Sequence, residues 1–203
     1  MPDVPMYHGG SRELQDRFAT RKLADRLADV LARDSFTEAD REFIESRSLF
    51  FLSTADDRGR PECSYKGGDP GFVRVLDPQT LAFPSYDGNG MFKSLGNVLV
   101  NPYVGMLFID FESPKRLRVN GRATINEDDP LLREFVGAQV IVRVCPEAVF
   151  PNCPRYIHRM KVIEPSPYVP REDQTPPVPG WKQRPEFREV LPPGDAAGQA
   201  PRQ

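Results

Sequence analysis

The stretch that decides the fold is LFFLSTADDRGRPECSYKGG, residues 49–68. It opens with a short apolar run, passes through a charged segment that contains a glycine and a proline, and continues with a second run that ends at Lys66. Two short runs of strand-forming residues joined by such a turn predict a β-hairpin.

Five further runs of the same kind follow this hairpin, at residues 72–76, 80–83, 104–109, 117–125 and 139–144. Short strands separated by turn signals at this density are typical of a small antiparallel barrel or sandwich. The sequence therefore predicts a mainly β protein with helices on its flanks.

Helices are predicted before and between these strands. Apolar residues recur at helical spacing over residues 11–34, and Thr37 has the character of an N-cap for a second, shorter helix. Residues 91–100 and 130–136 give two further helical pieces, because a proline stops the first and another proline begins the second.

Proline sets the last fifth of the chain apart. Ten of the 39 residues from 165 to 203 are proline, which predicts an extended or partly disordered arm that becomes a solvated tail after Pro193. Its aromatic residues, Trp181 among them, could bury against a neighbouring surface or a second protomer. The predicted divisions are a helical extension at residues 1–48, the β domain at 49–164 and the arm at 165–203.

The charge balance and the cysteines exclude several functions. Lys plus Arg total 27 and Asp plus Glu total 29, so the formal charge is −2 and the cationic excess that nucleic-acid binding needs is absent. No apolar run reaches the length of about 18 residues that a membrane span needs, and the first ten residues lack signal-peptide character, so we expect a cytoplasmic protein without a membrane partner. Cys63, Cys145 and Cys153 are odd in number and widely spaced, which favours reduced, buried thiols over disulfides or a metal site.

The first segment that could carry chemistry is YKGGDPGF, residues 65–72. Lys66 ends a predicted strand, and three glycines follow it within five residues. Backbone without Cβ atoms can approach a flat or phosphorylated ligand closely, with the lysine as a cation beside it. An ordinary Gly-Pro turn with a solvated lysine explains the same residues and stays open as an alternative.

The second segment is FPSYDGNGMFKSLGN, residues 83–97, where a strand is predicted to end and a helix to begin with Lys93 and Ser94 in its first turn. Free backbone N–H groups, a hydroxyl and an ammonium converge in such a place, which suits a phosphate. The segment is not a nucleotide P-loop, because Phe92 replaces the glycine before Lys-Ser, and no alternating βα units surround it as a Rossmann fold requires. A capped helix without a ligand is the alternative.

The third segment is FPNCPRYIHRM, residues 150–160. Two arginines, Tyr156 and His158 lie within five residues there, and they could contact an anion or stack on an aromatic ligand. Cys153 with His158 also invites interpretation as a nucleophile and its base, but the sequence places no partner carboxylate beside them.

Taken in order, these segments resemble the FMN-binding split-barrel superfamily typified by pyridoxamine 5'-phosphate oxidase, and more closely its group of predicted flavin-nucleotide-binding proteins. The resemblance covers roughly residues 45–160 and is carried by residues 63–74, 85–97 and 116–121. It implies a six-stranded antiparallel split β-barrel that forms a homodimer, with two FMN sites at the protomer interface.

The same resemblance implies roles for single residues. The strand that ends at Lys66 would run beside the flavin ring and the ribityl chain, and residues 85–94 would hold the phosphate. Arg155 and His158 would reach a site from the C-terminal side, that of the other protomer. The implied cofactor-binding residues are Ser64, Tyr65, Lys66, Gly67, Ser85, Tyr86, Asn89, Lys93, Ser94, Arg155 and His158.

The resemblance implies an FMN-dependent oxidoreductase with a small-molecule substrate and with NAD(P)H as a candidate electron donor. Two departures disfavour pyridoxamine phosphate as the substrate: residues 92–94 read Phe-Lys-Ser where oxidases of the superfamily present an Arg-Lys pair, and the proline-rich segment lacks their C-terminal substrate-binding pattern. Three alternatives stay open: an enzyme of the deazaflavin F420 that uses Arg155, Arg159 and Arg171, a non-catalytic flavin- or haem-binding module, and a barrel that has lost its ligand.

Overall fold

Seven antiparallel strands form one sheet in the first part of the chain. They are β1 (Leu49–Ala55), β2 (Pro61–Gly67), β3 (Arg74–Asp77), β4 (Thr80–Tyr86), β5 (Tyr103–Asp110), β6 (Lys115–Asn126) and β7 (Ala138–Pro151). Their order across the sheet is β2-β1-β5-β6-β7-β4-β3. The computed structural model describes residues 6–199, and the chain divides into two units after Pro165.

The mainly β prediction is confirmed, but the strand count differs. The resemblance implies six strands, and the sheet has seven. The short strand β3 pairs with β4 alone at one edge of the sheet. Its four residues form a strand because they pair with the backbone of β4. The sheet does not close through hydrogen bonds, since β2 and β3 are its two edges.

The sheet curls until distant strands share one core. Phe50 of β1 is fully buried, and its ring centroid lies 5.0 Å from that of Phe83 on β4 and 5.2 Å from that of Phe108 on β5. Three strands separate β1 from β4 in the sheet order, so this contact requires strong curvature, which the natural twist of β-sheets supplies. The burial of β1 alternates along the strand, with every second residue in the core.

A glycine lets the two longest strands bend together. The register between β6 and β7 shifts at Asn120 and Gly121, and a Cβ atom at Gly121 would lie 2.2 Å from the carbonyl oxygen of Cys145. No side chain fits at that distance. Glycine is therefore required at this bulge, which increases the local twist of the sheet.

The described residues before β1 form three helices where the sequence predicts two. They are α1 (Gly9–Arg17), α2 (Arg21–Leu31) and α3 (Glu38–Glu45). The single helix predicted over residues 11–34 is wrong, because Ala19 adopts a left-handed φ of 54° between α1 and α2. The apolar spacing continues across this turn, so periodicity alone does not reveal the break.

Helix α3 starts at the predicted cap. Thr37 Oγ1 accepts a hydrogen bond from the N–H of Asp40 at 3.2 Å, and Asp40 Oδ2 accepts one from the N–H of Thr37 at 2.8 Å, which completes a capping box. Arg33 forms an ion pair with the same carboxylate. Burial acts to raise the pKa of Asp40, but the hydrogen bonds from Arg33 and Thr37 outweigh it and hold this pKa below its usual value.

Both helical pieces predicted between strands are present. The first is α4 (Lys93–Val100), which ends before Pro102, and the second is a 3₁₀-helix (Pro130–Glu134) that begins at its proline. Within residues 6–199, no helix has the length and apolar character needed to cross a bilayer. The same residues contain no group of three or more His, Cys, Asp or Glu side chains placed to hold a metal ion.

The second unit contains regular turns despite its prolines. They are a 3₁₀-helix (Gly180–Gln183), α5 (Pro185–Arg188) and α6 (Ala196–Gln199). Lys182 Nζ lies 2.7 Å from Asp195 Oδ2, and both side chains are more than nine-tenths buried. The prediction of a solvated tail after Pro193 is therefore wrong at Asp195, which this ion pair ties back to Lys182, and residues 200–203 of the predicted tail lie outside the described residues. Short helices are compatible with the composition, since Pro185 occupies a first helical position that proline tolerates.

Candidate functional site

Three polar side chains form a row on one face of the edge strand β2. Glu62, Ser64 and Lys66 are half-buried, whereas the residues that alternate with them are exposed. Directly paired residues share a face of a sheet, so the polar row borders the core. The paired residues on β1 are all buried: Thr54, Leu52 and Phe50.

Helix α4 lies over this polar row and is joined to the sheet by two hydrogen bonds. Ser94 Oγ donates to Ser64 Oγ at 2.9 Å, and we call these two residues the serine pair. Asn97 Nδ2 donates to Thr54 Oγ1 at 3.0 Å. Because Ser94 and Asn97 are three residues apart, one face of α4 makes both contacts. Two segments that the sequence singles out separately, at Lys66 and at the start of α4, thus meet at one edge of the sheet, and we call the surface between them the β2–α4 groove.

Lys93 begins α4 beside a carboxylate. Its Nζ lies 3.9 Å from Glu62 Oε2, and both side chains are partly exposed. Phe92, the N-cap residue, has a left-handed φ of 47° and provides no side-chain acceptor, so the first N–H groups of α4 lack a side-chain cap. This end of the groove offers backbone donors and an ammonium whose charge Glu62 already offsets. The sequence interpretation misses Glu62, although its alternation with Ser64 in a strand would have placed it on the same face.

Lys66, the cation of the polar row, has no counterion in the described part of the chain. Within residues 6–199, no carboxylate lies within ion-pairing distance of its ammonium and no hydrogen bond engages it. Burial lowers the pKa of Lys66, because removing an ammonium from water disfavours its charged form. A half-buried cation of this kind is a place where an anionic ligand group would be stabilised.

The chain's own aromatic rings crowd the two glycines after Lys66. A Cβ atom at Gly68 would lie 2.5 Å from Cγ of Phe72, and one at Gly67 would lie 2.7 Å from the ring of Tyr65. Phe72 is buried and cannot move aside, so packing explains Gly68 without a ligand, whereas the exposed Tyr65 ring can move away from Gly67. The predicted close approach of a ligand to this backbone therefore gains no support from Gly68.

The end of β4 and the loop after it hold the remaining residues of the second segment. Burial raises the pKa of Tyr86, and the negative charge of Asp69 raises it further, which places Tyr86 near the turn that follows β2. Asn89 Oδ1 accepts from the N–H of Met91 at 3.1 Å and so stabilises its own loop. Among the described residues, no hydrogen bond links Ser85 or Asn89 to the serine pair.

The segment after β7 follows a different course. Arg155 Nε donates to Cys153 Sγ at 3.2 Å, and Arg159 Nε donates to the carbonyl oxygen of Glu112 at 3.2 Å, so the segment lies along the turn between β5 and β6. Over residues 6–199, no hydrogen bond joins Arg155 or His158 to the serine pair. In the second unit, Arg171 donates to Gln174 Oε1 at 3.2 Å.

All three cysteines are free and exposed, so the expectation of buried thiols is wrong. Cys63 occupies an outward position in β2, and Cys145 occupies one in β7. Hydrogen bonds from the backbone and side chain of Arg155 lower the pKa of Cys153. No hydrogen bond pairs Cys153 with His158 in the described part of the chain, which leaves the nucleophile and base interpretation without support.

A shallow cavity of about 330 Å³ lies elsewhere, and Ser53, Gly105 and Asn120 contribute to its lining. These residues are paired with one another across β1, β5 and β6. Ser53 is exposed and alternates with the buried Leu52 along β1, so these residues mark the outer face of the sheet. The cavity is therefore distinct from the β2–α4 groove.

Comparison with known proteins places these elements in a family. Residues 36–164, which include all seven strands and α4, match the sequence model of the family described as pyridoxamine 5'-phosphate oxidase. No curated protein matches the chain.

Three solved structures are similar to this chain. HupZ of Group A Streptococcus shares 17% identity, with 62% of this chain and 99% of that chain covered and a TM-score of 0.47. HutZ, described as the heme storage protein from Vibrio cholerae, shares 22% identity over 52% of this chain and 85% of that chain, with a TM-score of 0.40. A FAD-binding protein from Mesorhizobium loti shares 18% identity over 61% of this chain and 100% of that chain, with a TM-score of 0.41.

Proposed function

Because the chain belongs to the pyridoxamine 5'-phosphate oxidase family, we propose that it binds FMN in the β2–α4 groove and acts as an FMN-dependent oxidoreductase. The observation that carries this proposal is the 2.9 Å hydrogen bond of the serine pair. It joins the strand proposed to run beside the flavin ring to the helix proposed to hold the phosphate. In this proposal, residues 49–164 form the flavin domain, between an N-terminal extension and a C-terminal arm.

The donor groups of the groove fit the two ends of such a ligand. Residues in a strand advance by about 3.3 Å, so Glu62 and Lys66 are about 13 Å apart along β2, a span comparable with FMN from ring to phosphate. The uncapped N–H groups of α4, the Lys93 ammonium and the serine pair suit the phosphate. Lys66, without a counterion among residues 6–199, suits an electron-rich edge of the ring.

Each of these residues has a defined task in the proposed reaction. When bound, FMN would supply the centre that accepts and returns hydride. Lys66 would hold a positive charge beside the ring edge, which stabilises added negative charge and raises the reduction potential. The serine pair and the start of α4 would fix the phosphate end and so orient the ring. The substrate is a small molecule other than pyridoxamine phosphate, and NAD(P)H is the proposed electron donor.

We also propose a homodimer in which Arg155 and His158 of one protomer serve the groove of the other. Support comes from the exposure of apolar side chains in the same segment, where Tyr156 is 92% exposed and Ile163 is 99% exposed. Met160 and Val162 of the same segment are also more than half exposed, and a run of exposed apolar side chains, unlike single ones, is typical of protein interaction sites. Sedimentation equilibrium measures the mass, and a monomer that still binds FMN tightly would contradict this arrangement.

The visible spectrum of freshly purified protein tests the cofactor, followed by mass analysis of whatever denaturation releases. We expect a flavin spectrum and the release of FMN. A Soret band with haem release, a deazaflavin spectrum, or no binding of added FMN would each overturn the proposal. Anaerobic addition of NADH and NADPH then tests turnover, because a flavin that neither donor reduces belongs to a binding module and not to an oxidoreductase.

A matched ligand pair tests the phosphate end. The double variant Ser94→Ala with Asn89→Ala should bind FMN about tenfold more weakly and bind riboflavin as the unaltered protein does, because only FMN carries the phosphate. Fluorescence titration measures both affinities. Equal affinity of the unaltered protein for FMN and riboflavin would show that the groove does not recognise the phosphate.

A further inference from the structure

We propose that Glu62 sets the charge selectivity of the β2–α4 groove by competing with the ligand phosphate for Lys93. The chain would then prefer FMN over uncharged riboflavin less strongly than it would if position 62 carried no negative charge. This inference rests on the proposed function, and it concerns one residue that the resemblance does not assign.

The position of Glu62 is fixed by contacts that do not involve its own side chain. Thr54 pairs directly with Glu62 across β1 and β2, and Asn97 of α4 donates to Thr54 Oγ1 at 3.0 Å. The serine pair holds the neighbouring positions, one residue beyond Lys93 and two beyond Glu62. These contacts hold the start of α4 over the face of β2 that carries Glu62, where Lys93 Nζ lies 3.9 Å from Glu62 Oε2.

The charges at this end of the groove cancel. The Lys93 ammonium and the Glu62 carboxylate sum to zero, whereas a phosphate monoester carries about −1.5 to −2 near neutral pH. A phosphate that binds at the start of α4 must draw Lys93 away from Glu62 and must also remain near a like charge. Lys66 is four residues from Glu62, about 13 Å along β2, and in the proposed pose it faces the ring and not the phosphate.

The substitution Glu62→Gln tests this inference, because it keeps the shape of the side chain and removes the charge. We expect FMN to bind about tenfold more tightly and riboflavin to bind with unchanged affinity, since only the phosphate feels the charge. Glu38→Gln is the matched control: Glu38 pairs with Arg41 at 3.4 Å on α3, so the same charge change occurs at another surface ion pair. The control should change neither affinity.

A double-mutant cycle separates competition from simple repulsion. In a Lys93→Gln background, the gain in FMN affinity from Glu62→Gln should be smaller, because only the direct repulsion between the carboxylate and the phosphate is left to relieve. A gain that stays at its full size in that background would overturn the competition. If Glu62→Gln raised the affinity for riboflavin by the same factor as the affinity for FMN, or raised neither affinity, the inference as a whole would be overturned.

The same titrations distinguish a failure of the inference about Glu62 from a failure of the proposed function. If the unaltered protein binds FMN but Glu62→Gln leaves its affinity unchanged, the inference about Glu62 fails and the proposed function stands. If neither protein binds FMN or riboflavin, the proposed function fails and the inference falls with it. Circular dichroism checks that each variant folds, which we expect because Glu62 lies partly exposed on an edge strand.

Discussion

The side-chain amide of Asn97 on α4 donates to the hydroxyl of Thr54 on β1 at 3.0 Å. Thr54 is 3% exposed, so this bond ties the helix to a strand that has neighbours on both sides. The position of α4 is thus set by the interior of the sheet and not only by its edge strand β2. A site that spans β2 and α4 gains its rigidity from this anchor.

Replacing Thr54 with valine removes the acceptor and keeps the side-chain shape. We expect the free energy of unfolding to fall by about 1 kcal/mol, and FMN to bind more weakly because α4 can shift relative to β2. Urea denaturation and fluorescence titration measure the two effects. Thr124→Val is the control, because Thr124 is exposed on β6, and a Thr54 variant as stable as that control would contradict the anchor.

Lys66→Met should weaken FMN binding without lowering the stability of the fold. We expect about tenfold weaker FMN retention and a lower midpoint potential, because a positive charge near the ring is lost. The free energy of unfolding should not fall, since an ammonium that burial destabilises is replaced by an apolar side chain of similar length. Lys115→Met, at an exposed position of β6, serves as control. Unchanged potential and affinity in Lys66→Met would refute the proposed role.

The stability of the N-terminal part should depend on the ionised carboxylate of Asp40. Its pKa is lowered in the folded chain relative to 3.8, so the unfolded chain binds more protons in the interval between the two values. The stabilisation is fully present above the unfolded pKa and is lost as the pH falls through the folded one.

For this reason Asp40→Asn should be less stable by about 2 kcal/mol at pH 7 and should lose less stability than the unaltered protein between about pH 5 and pH 2. Denaturation curves at several pH values measure this. Asp57→Asn, in an exposed turn, is the control. Parallel pH profiles for the unaltered protein and Asp40→Asn would rule out the carboxylate as the cause.

Two glycine-to-alanine substitutions, one at the bulge between β6 and β7 and one in α4 as its control, test whether the bulge requires glycine. Gly121→Ala should cost more than about 3 kcal/mol, because its Cβ would lie 2.2 Å from a backbone oxygen that cannot move without distorting β7. Gly96→Ala should be neutral or stabilise by up to about 1 kcal/mol, since it is helical and nothing lies within 4 Å of the added atom. Thermal unfolding compares them, and a folded Gly121→Ala of normal stability would disprove the requirement.

The strands and the cap of α3 are predictable because their signals are local. Each strand has its own apolar run and flanking turn, and the capping box at Thr37 needs only the residues within one helical turn. The break at Ala19 leaves no such signal, because neither glycine nor proline marks it. The exposure of Cys63 was missed because a strand at the sheet edge has one solvated face.

The candidate site was predictable only as separate pieces. The sequence indicates polar groups near the ends of a strand and a helix, namely Ser64, Lys66 and the start of α4. Their meeting depends on strand pairing and on the curvature that brings Phe50 to Phe83, and these are properties of the whole sheet. Glu62 could be found once β2 was accepted as a strand, since alternation places it two residues before Ser64 on the same face.

The pairing of β1 has a consequence for the chain as it leaves the ribosome. The hairpin of β1 and β2 is complete early, but the other edge of β1 finds its partner β5 only after β3, β4 and α4 have been synthesised. Until then, a strand that carries Phe50 and Leu52 presents unpaired backbone groups to water or to other nascent chains. The time needed to translate residues 68–110, which end with β5, therefore sets how long this edge of β1 stays unpaired.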